Sequence, residues 1–293
     1  MVSGDPSCLD RRALRIGGLT VGLYGPGSLG GAMRLPGLGL FACTGEAEPD
    51  VRIFLGRAGA PALRRRLHTF TLSTGMECQL HESEAGLPVY TFGDGGMVAC
   101  SADGEATIDC RHTGGDLLYM LWLAYAHAAL RHNAVPVHAS AVVCGGEAVL
   151  CLGESGTGKS THTRLWLDNI EGSSLLNDDS PVVRVEHGRV VVYGSPWSGK
   201  TPCFRTESYP VAAFVRLRQA PANSIARLDT LHSFAALQPS CPPTFMHHDR
   251  SADALIGLVG EIIERVPVYR LDCLPDAAAA RLCHGTVTKQ RRQ

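Results

Sequence analysis

The apolar run AVLCL at 148–152 leads without a break into GESGTGKS, Gly153–Ser160, and then into THTRLWL at 161–167. The middle segment fits G-x-x-x-x-G-K-[ST], and its flanks read as a strand before it and a helix after it. That context is what the motif needs. Glycines let the backbone wrap an anion closely, and successive N–H groups at a helix N-terminus then point at its oxygens. The contacting set is Gly153, Glu154, Ser155, Gly156, Thr157, Gly158, Lys159, Ser160 and Thr161. Lys159 has the reach for terminal phosphates, and the Ser160 hydroxyl suits Mg²⁺. The alternative is a glycine-rich strand-to-helix turn that matches by chance.

Working outward, Val137–Val143 and Ala148–Leu152 read as strands joined at Cys144-Gly145-Gly146-Glu147. Short strands are predicted at 174–176, 182–186, 190–193, 212–218 and 268–272. Helices are predicted at 161–167, near 230–237, at 251–265 and after Pro275. Asp178 and Asp179 close the strand that begins SSLLN. Adjacent strand residues point to opposite sides. One carboxylate can therefore face a metal while the other faces an incoming hydroxyl and takes its proton. The alternative is a solvated Asp-Asp turn before Pro181. His138, in PVHAS, lies fifteen residues ahead of the first loop glycine. It is either a structural histidine or a partner that orients Asp178.

Composition narrows the classes. Net charge is −1, which excludes a broad electrostatic footprint for nucleic acid. The most apolar helical run, 117–130, is too short to cross a bilayer. Eleven cysteines occur without any CxxC, and the start MVSGDPSCLDRR lacks a signal-like apolar run, so a reduced cytoplasmic protein is expected. Of 27 basic residues only Lys159, Lys200 and Lys289 are lysine. A chain that takes its positive charge from arginine keeps an interior lysine for a chemical reason: a compact ammonium on a thin stem. Lys289 belongs to a solvated tail. Residues 1–112 alternate short apolar runs with turn dipeptides such as Asp94-Gly95 and Asp103-Gly104, and read as a small β-rich module. A second module is predicted over 113–285, opening with a helix at 116–131, and a frayed tail over 286–293.

The combination of His138, GESGTGKS and the Asp178-Asp179 pair resembles the catalytic domain of HPr kinase/phosphorylase and its kin in the phosphoenolpyruvate carboxykinase-like group. The resemblance spans about 134–285. It implies an α/β (α+β) P-loop nucleotide-binding domain behind the β-rich N-terminal module. It also implies an ATP- and Mg²⁺-dependent kinase acting on a hydroxyl, serine first, of a peptide or protein acceptor, with a small-molecule acceptor as the alternative. By the matching motif, His138 pairs with Asp178 as general base, Lys159 and Ser160 hold phosphates and Mg²⁺, and Asp179 assists at the metal. Oligomers are common in that family, so a homo-oligomer is expected. Ala139 stands where the family has Gly, Thr161 where it has an acid, and GSPWSGKTPCFR, 194–205, replaces its second signature. The chain is thus similar to the divergent HPr kinase-like proteins, some of which accompany peptide maturation. A carboxykinase proper uses an upstream lysine, and none precedes Lys159.

The remaining candidates carry two readings each. Lys200 is either a second cation at the transferred phosphate or a loop lysine, with Arg205 a weaker candidate for the same role. Trp197 either stacks on a ligand or packs. His247-His248-Asp249 reads as an exposed loop, and Glu261 with Glu264 as a solvated helix face. A different class of function also fits a phosphate loop: an ATP-binding regulator or maturation partner with little or no phosphotransfer. Such a switch needs Lys159 and Ser160 but no base facing an acceptor.

Overall fold

A computed structural model of the chain describes residues 10–25, 29–44, 48–56, 59, 61–72, 74–110, 115–199 and 201–289. The chain divides into two units, Met1–His132 with Thr244–Leu255, and Asn133–Pro243 with Ile256–Gln293.

In the first unit eight strands form one sheet. They are β1 (Asp10–Ile16), β2 (Leu19–Gly25), β3 (Val51–Leu55), β4 (Leu63–Thr71), β5 (Glu77–Ser83), β6 (Pro88–Phe92), β7 (Met97–Cys100) and β8 (Ala106–Asp109). Their order is β1-β2-β3-β8-β7-β6-β5-β4. The two parallel junctions are β2–β3 and β3–β8. Helix α1 (Gly115–Leu130) packs on β3, β7 and β8. The predicted opening helix of the second module therefore belongs with the N-terminal sheet. Its residues are apolar on nearly every side, and Met120, Leu123, Ala124 and Tyr125 are fully buried. Such a helix needs an apolar sheet to cover it.

The second unit is a mixed sheet with helices. Its strands are β9 (Ala134–Pro136), β10 (Ala139–Cys144), β11 (Glu147–Leu152), β12 (Ser174–Asp179), β13 (Val182–Glu186), β14 (Arg189–Tyr193), β15 (Ser208–Gln219), β16 (Ser224–Arg227) and β17 (Val268–Cys273). Its helices are α2 (Lys159–Asn169), α3 (Thr230–Leu237) and α5 (Ala277–Lys289). The division between units falls within α4 (Asp249–Arg265). The path runs β12-β10-β11-β15-β14-β13-β9, with β17 on β15 and β16 on β17. The long β15 lies parallel to both β11 and β17. Val149, Cys151, Val215, Leu217, Tyr269 and Leu271 form the sheet side of the core, against Trp166 of α2 and Ala280, Cys283 and Val287 of α5. Val287 is buried in that core, so the frayed tail expected from 286 is helix as far as Lys289.

The strands predicted around the glycine motif are all present. The one at 182–186 has the predicted bounds, the one predicted at 137–143 starts at Ala139 and so leaves His138 just ahead of it, and the others are longer by one to four residues at an end. No helix among the described residues is long and apolar enough to cross a membrane. Cys78, Cys151, Cys241 and Cys283 are buried thiols outside any disulfide.

Candidate active site

The site grows from the turn between β11 and α2. Gly158 has φ +108° at the helix N-cap, a conformation that glycine reaches at no steric cost. It turns the chain so that α2 starts at Lys159 with its first N–H groups facing the loop. The helix start is fastened to the sheet, where the Thr163 and Ser140 hydroxyls lie 3.0 Å apart in the buried interior. Lys159 is buried, and its ammonium donates to the carbonyls of Gly153 (2.8 Å) and Glu154 (3.3 Å) and to His138 Nε2 (3.0 Å). Burial pulls its pKa down, while the carboxylates of Asp179 and Asp178 oppose that. Glu154, Ser155, Gly156, Ser160 and Thr161 are exposed along the loop, with Thr157 and Gly158 half-buried.

The two aspartates divide as strand alternation requires, one inward and one outward. Asp178 is buried, 5% exposed, and its Oδ1 accepts a hydrogen bond from Ser160 Oγ at 3.0 Å. Asp179 is half-exposed, and its Oδ1 lies 3.6 Å from His138 Nε2. The resemblance implies the opposite, His138 against Asp178. The register explains the difference: Asp178 pairs with Ser140 on β10, while Asp179 pairs with Ala139, next to His138. His138 itself is held by backbone, its N–H donating to the Ser240 carbonyl at 2.6 Å, with Val137 N–H on the Pro181 carbonyl. Burial and the adjacent Lys159 ammonium push the His138 pKa down, so the ring is neutral at pH 7 and its Nε2 accepts from lysine. Burial raises the Asp179 carboxyl, against the pull of His138 and Lys159. Asp179 also has φ +143°, a region that residues with a Cβ rarely occupy.

Several groups that sequence reasoning missed hold this arrangement. Asn177 is fully buried behind the aspartates. Its amide donates to the carbonyls of Ser195 (3.3 Å), Trp197 (3.2 Å) and Cys203 (3.4 Å), and its Oδ1 accepts from Ser180 N–H at 2.9 Å. One side chain thus gathers three carbonyls of the loop, and Ser195 Oγ adds a bond to the Ser180 carbonyl at 2.6 Å. Gly199 N–H from that loop donates to the Asp178 carbonyl at 2.6 Å, and Ser198 bridges to Asp179. At the loop's root, a Cβ on Gly194 would lie 1.9 Å from the Arg205 carbonyl oxygen, so only glycine fits. Arg216 reaches the loop from β15, with Nη2 on Glu154 Oε1 at 2.5 Å. The parallel register sets Arg216 opposite Leu152, which carries it to the level of the turn. Nothing in sequence spacing joins residues 62 positions apart. The chemistry of Asn177 was legible in principle, as an amide beside two acids at a strand end.

Lys200 lies outside the described residues. Arg205 lies 3.9 Å from Glu207 and interacts with the Cys203 thiol of its own loop. Trp197 is buried, 6% exposed, which favours packing over stacking on a ligand. At 247–249 His247 and Asp249 are exposed as expected, but the segment is the end of a 3-10 turn, Pro243–His247, running into α4, and His248 is buried; His247 stacks on His68. No described group of histidine, cysteine and acid residues has the clustering of a metal centre. The oxygens of Ser160 and Asp178 nevertheless form a hard donor pair of the kind Mg²⁺ accepts while keeping most of its waters.

No family model matches the chain, and no curated protein matches it. Among solved structures, the Hpr(Ser) kinase/phosphatase from Coxiella burnetii is similar over 54% of this chain and 95% of that one, with 15% identity and a TM-score of 0.31. It is a distant structural neighbour.

Proposed function

We propose that the second unit is an ATP- and Mg²⁺-dependent kinase that passes the γ-phosphate to a hydroxyl of a peptide or protein acceptor, serine first. The observation that carries this reading is the pairing around the Lys159 ammonium: Ser160 with Asp178, and His138 with Asp179. A switch that only binds nucleotide has use for the first pair and none for the second.

In this reading Lys159 leaves the carbonyls of Gly153 and Glu154 for oxygens of the terminal phosphates. Ser160 and Asp178 hold Mg²⁺, which supplies charge neutralisation at those oxygens. Asp179 faces the acceptor. It takes the hydroxyl proton as that oxygen bonds to the γ-phosphorus and the bond to the β-phosphate bridging oxygen breaks, leaving ADP and a phosphoester. A carboxyl raised above its ordinary range is a better base for that step. Once Lys159 has turned to the phosphates, the neutral His138 ring, fixed by the Ser240 carbonyl through its backbone, carries its proton on Nε2 and donates it to Asp179 Oδ1, 3.6 Å away, which sets the direction of that carboxylate. The roles of the two aspartates are therefore exchanged relative to those the resemblance implies.

Titration calorimetry with ATP, with and without Mg²⁺, separates the two. Asp178→Asn should lose most of the Mg²⁺-dependent part of ATP binding. Asp179→Asn should bind Mg-ATP within about threefold of the wild type and transfer no phosphate. The converse pattern would return the base to Asp178. In a parallel assay with γ-labelled ATP, full transfer by both variants would remove both aspartates from the mechanism, and ATP binding by the wild type with no transfer to any acceptor would end the kinase reading.

A further inference from the structure

We infer that the cleft on the α2 side of the glycine loop seats the purine base of the nucleoside triphosphate. This rests on the phosphate reading of the loop and goes beyond it by naming where the rest of the ligand lies. Two clefts flank the loop. One, of about 550 Å³, shares Gly156–Gly158 and Thr161 with it and has apolar walls from Leu165, Leu217, Ala220, Leu274 and Pro275. The other, of about 590 Å³, shares Glu154–Thr157 and is lined by Arg216, Arg218 and Arg270.

Chemistry and direction both select the first. A purine ring is flat and weakly polar, and pockets for such rings are mostly apolar with a few polar groups. The arginines of the second cleft are already engaged, Arg216 with Glu154 and both Arg218 and Arg270 with Asp272. The reacting groups, Lys159, Ser160, Asp178, Asp179 and His138, line neither cleft, but unlike the second cleft the apolar one takes in Gly158 and Thr161, the immediate chain neighbours of Lys159 and Ser160. A phosphate chain with its terminal group among them passes the start of α2 at Thr161 and enters that cleft. Gln219 closes the loop side, its amide donating to the carbonyls of Gly156 and Thr157 at 3.4 Å, so the wall is tied before any ligand arrives.

Cys273 lines the same cleft and is partly exposed, which makes it a reporter. The test compares Mg-ATP with Mg-tripolyphosphate on the full chain. Binding is read by calorimetry and N-ethylmaleimide labelling of Cys273 by mass spectrometry. Both compounds should bind, and saturating ATP should slow Cys273 labelling about tenfold while tripolyphosphate leaves it unchanged. Leu274→Glu alters a residue that is 38% exposed and should fold. It should weaken ATP about tenfold and leave tripolyphosphate as it was. If both compounds bind, ATP leaves Cys273 labelling unchanged and Leu274→Glu binds ATP like the wild type, the base lies elsewhere and the phosphate site stands. If neither compound binds, the phosphate reading falls and the base site with it.

Discussion

Asp179 sits at φ +143° with an exposed carboxylate beside His138. A residue with a Cβ held there costs about 1–3 kcal/mol relative to relaxed backbone, and such strain gathers where geometry serves chemistry. Asp179→Gly should therefore raise the urea midpoint, by a change equivalent to about 1 kcal/mol after the entropy cost of glycine, while it removes phosphate transfer. Loss of stability in that variant would mean that the carboxylate contributes structure and not strain. At Asp178 the expectation is reversed. Its carboxylate is buried and accepts from Ser160, and Asp178→Ala removes that bond from an exposed hydroxyl which water can then satisfy, at about 0.5–1.5 kcal/mol.

The loop that follows β14 is held in part by one amide. Asn177→Leu keeps the volume, but it leaves the carbonyls of Ser195 and Cys203 and the Ser180 N–H without the partner that Asn177 supplies, while the Trp197 carbonyl keeps Ser195 Oγ. A loss of about 2–4 kcal/mol is expected, from buried polar groups at about 1–3 kcal/mol each and partial relaxation. Urea titration checks it, and a change under about 0.5 kcal/mol would show that the loop is held otherwise. The glycine motif, its strand and its helix were legible because the period of the apolar residues and the turn glycines are local signals. The His138–Asp179 contact was not. It depends on the register of β12 against β10, which includes a shift between Ala141 and Val142 that no spacing announces. The placement of α1 escaped for a related reason. A helix apolar on all sides does not say which sheet covers it.

Across the whole chain, each unit holds a histidine in neutral form, His127 half-buried in the first and His162 buried in the second. Burial pushes His127 of the first unit down to about 3 and His162 of the second to about 4. The His162 ring accepts from Trp166 Nε1 at 3.2 Å and is 3% exposed. Both folded values lie below the unfolded one of about 6.5. The unfolded chain therefore takes up protons first as pH falls. The stability that these rings contribute is complete above about pH 6.5 and is lost progressively toward pH 4 and then 3. Thermal melts from pH 7 to 4 should show a falling midpoint, and His162→Leu should flatten the fall in the second unit. A midpoint that rises on acidification would contradict the neutral assignment.

The most direct measurement for the kinase reading is transfer of label from γ-labelled ATP with Mg²⁺ in fractionated extract of the source cell, wild type beside Asp179→Asn. The account predicts a labelled peptide or protein, carrying phosphoserine, that appears with wild type and is absent with the variant although the variant still binds Mg-ATP. Equal labelling by both proteins, or ATP binding by the wild type with no labelled acceptor in any fraction, would contradict it.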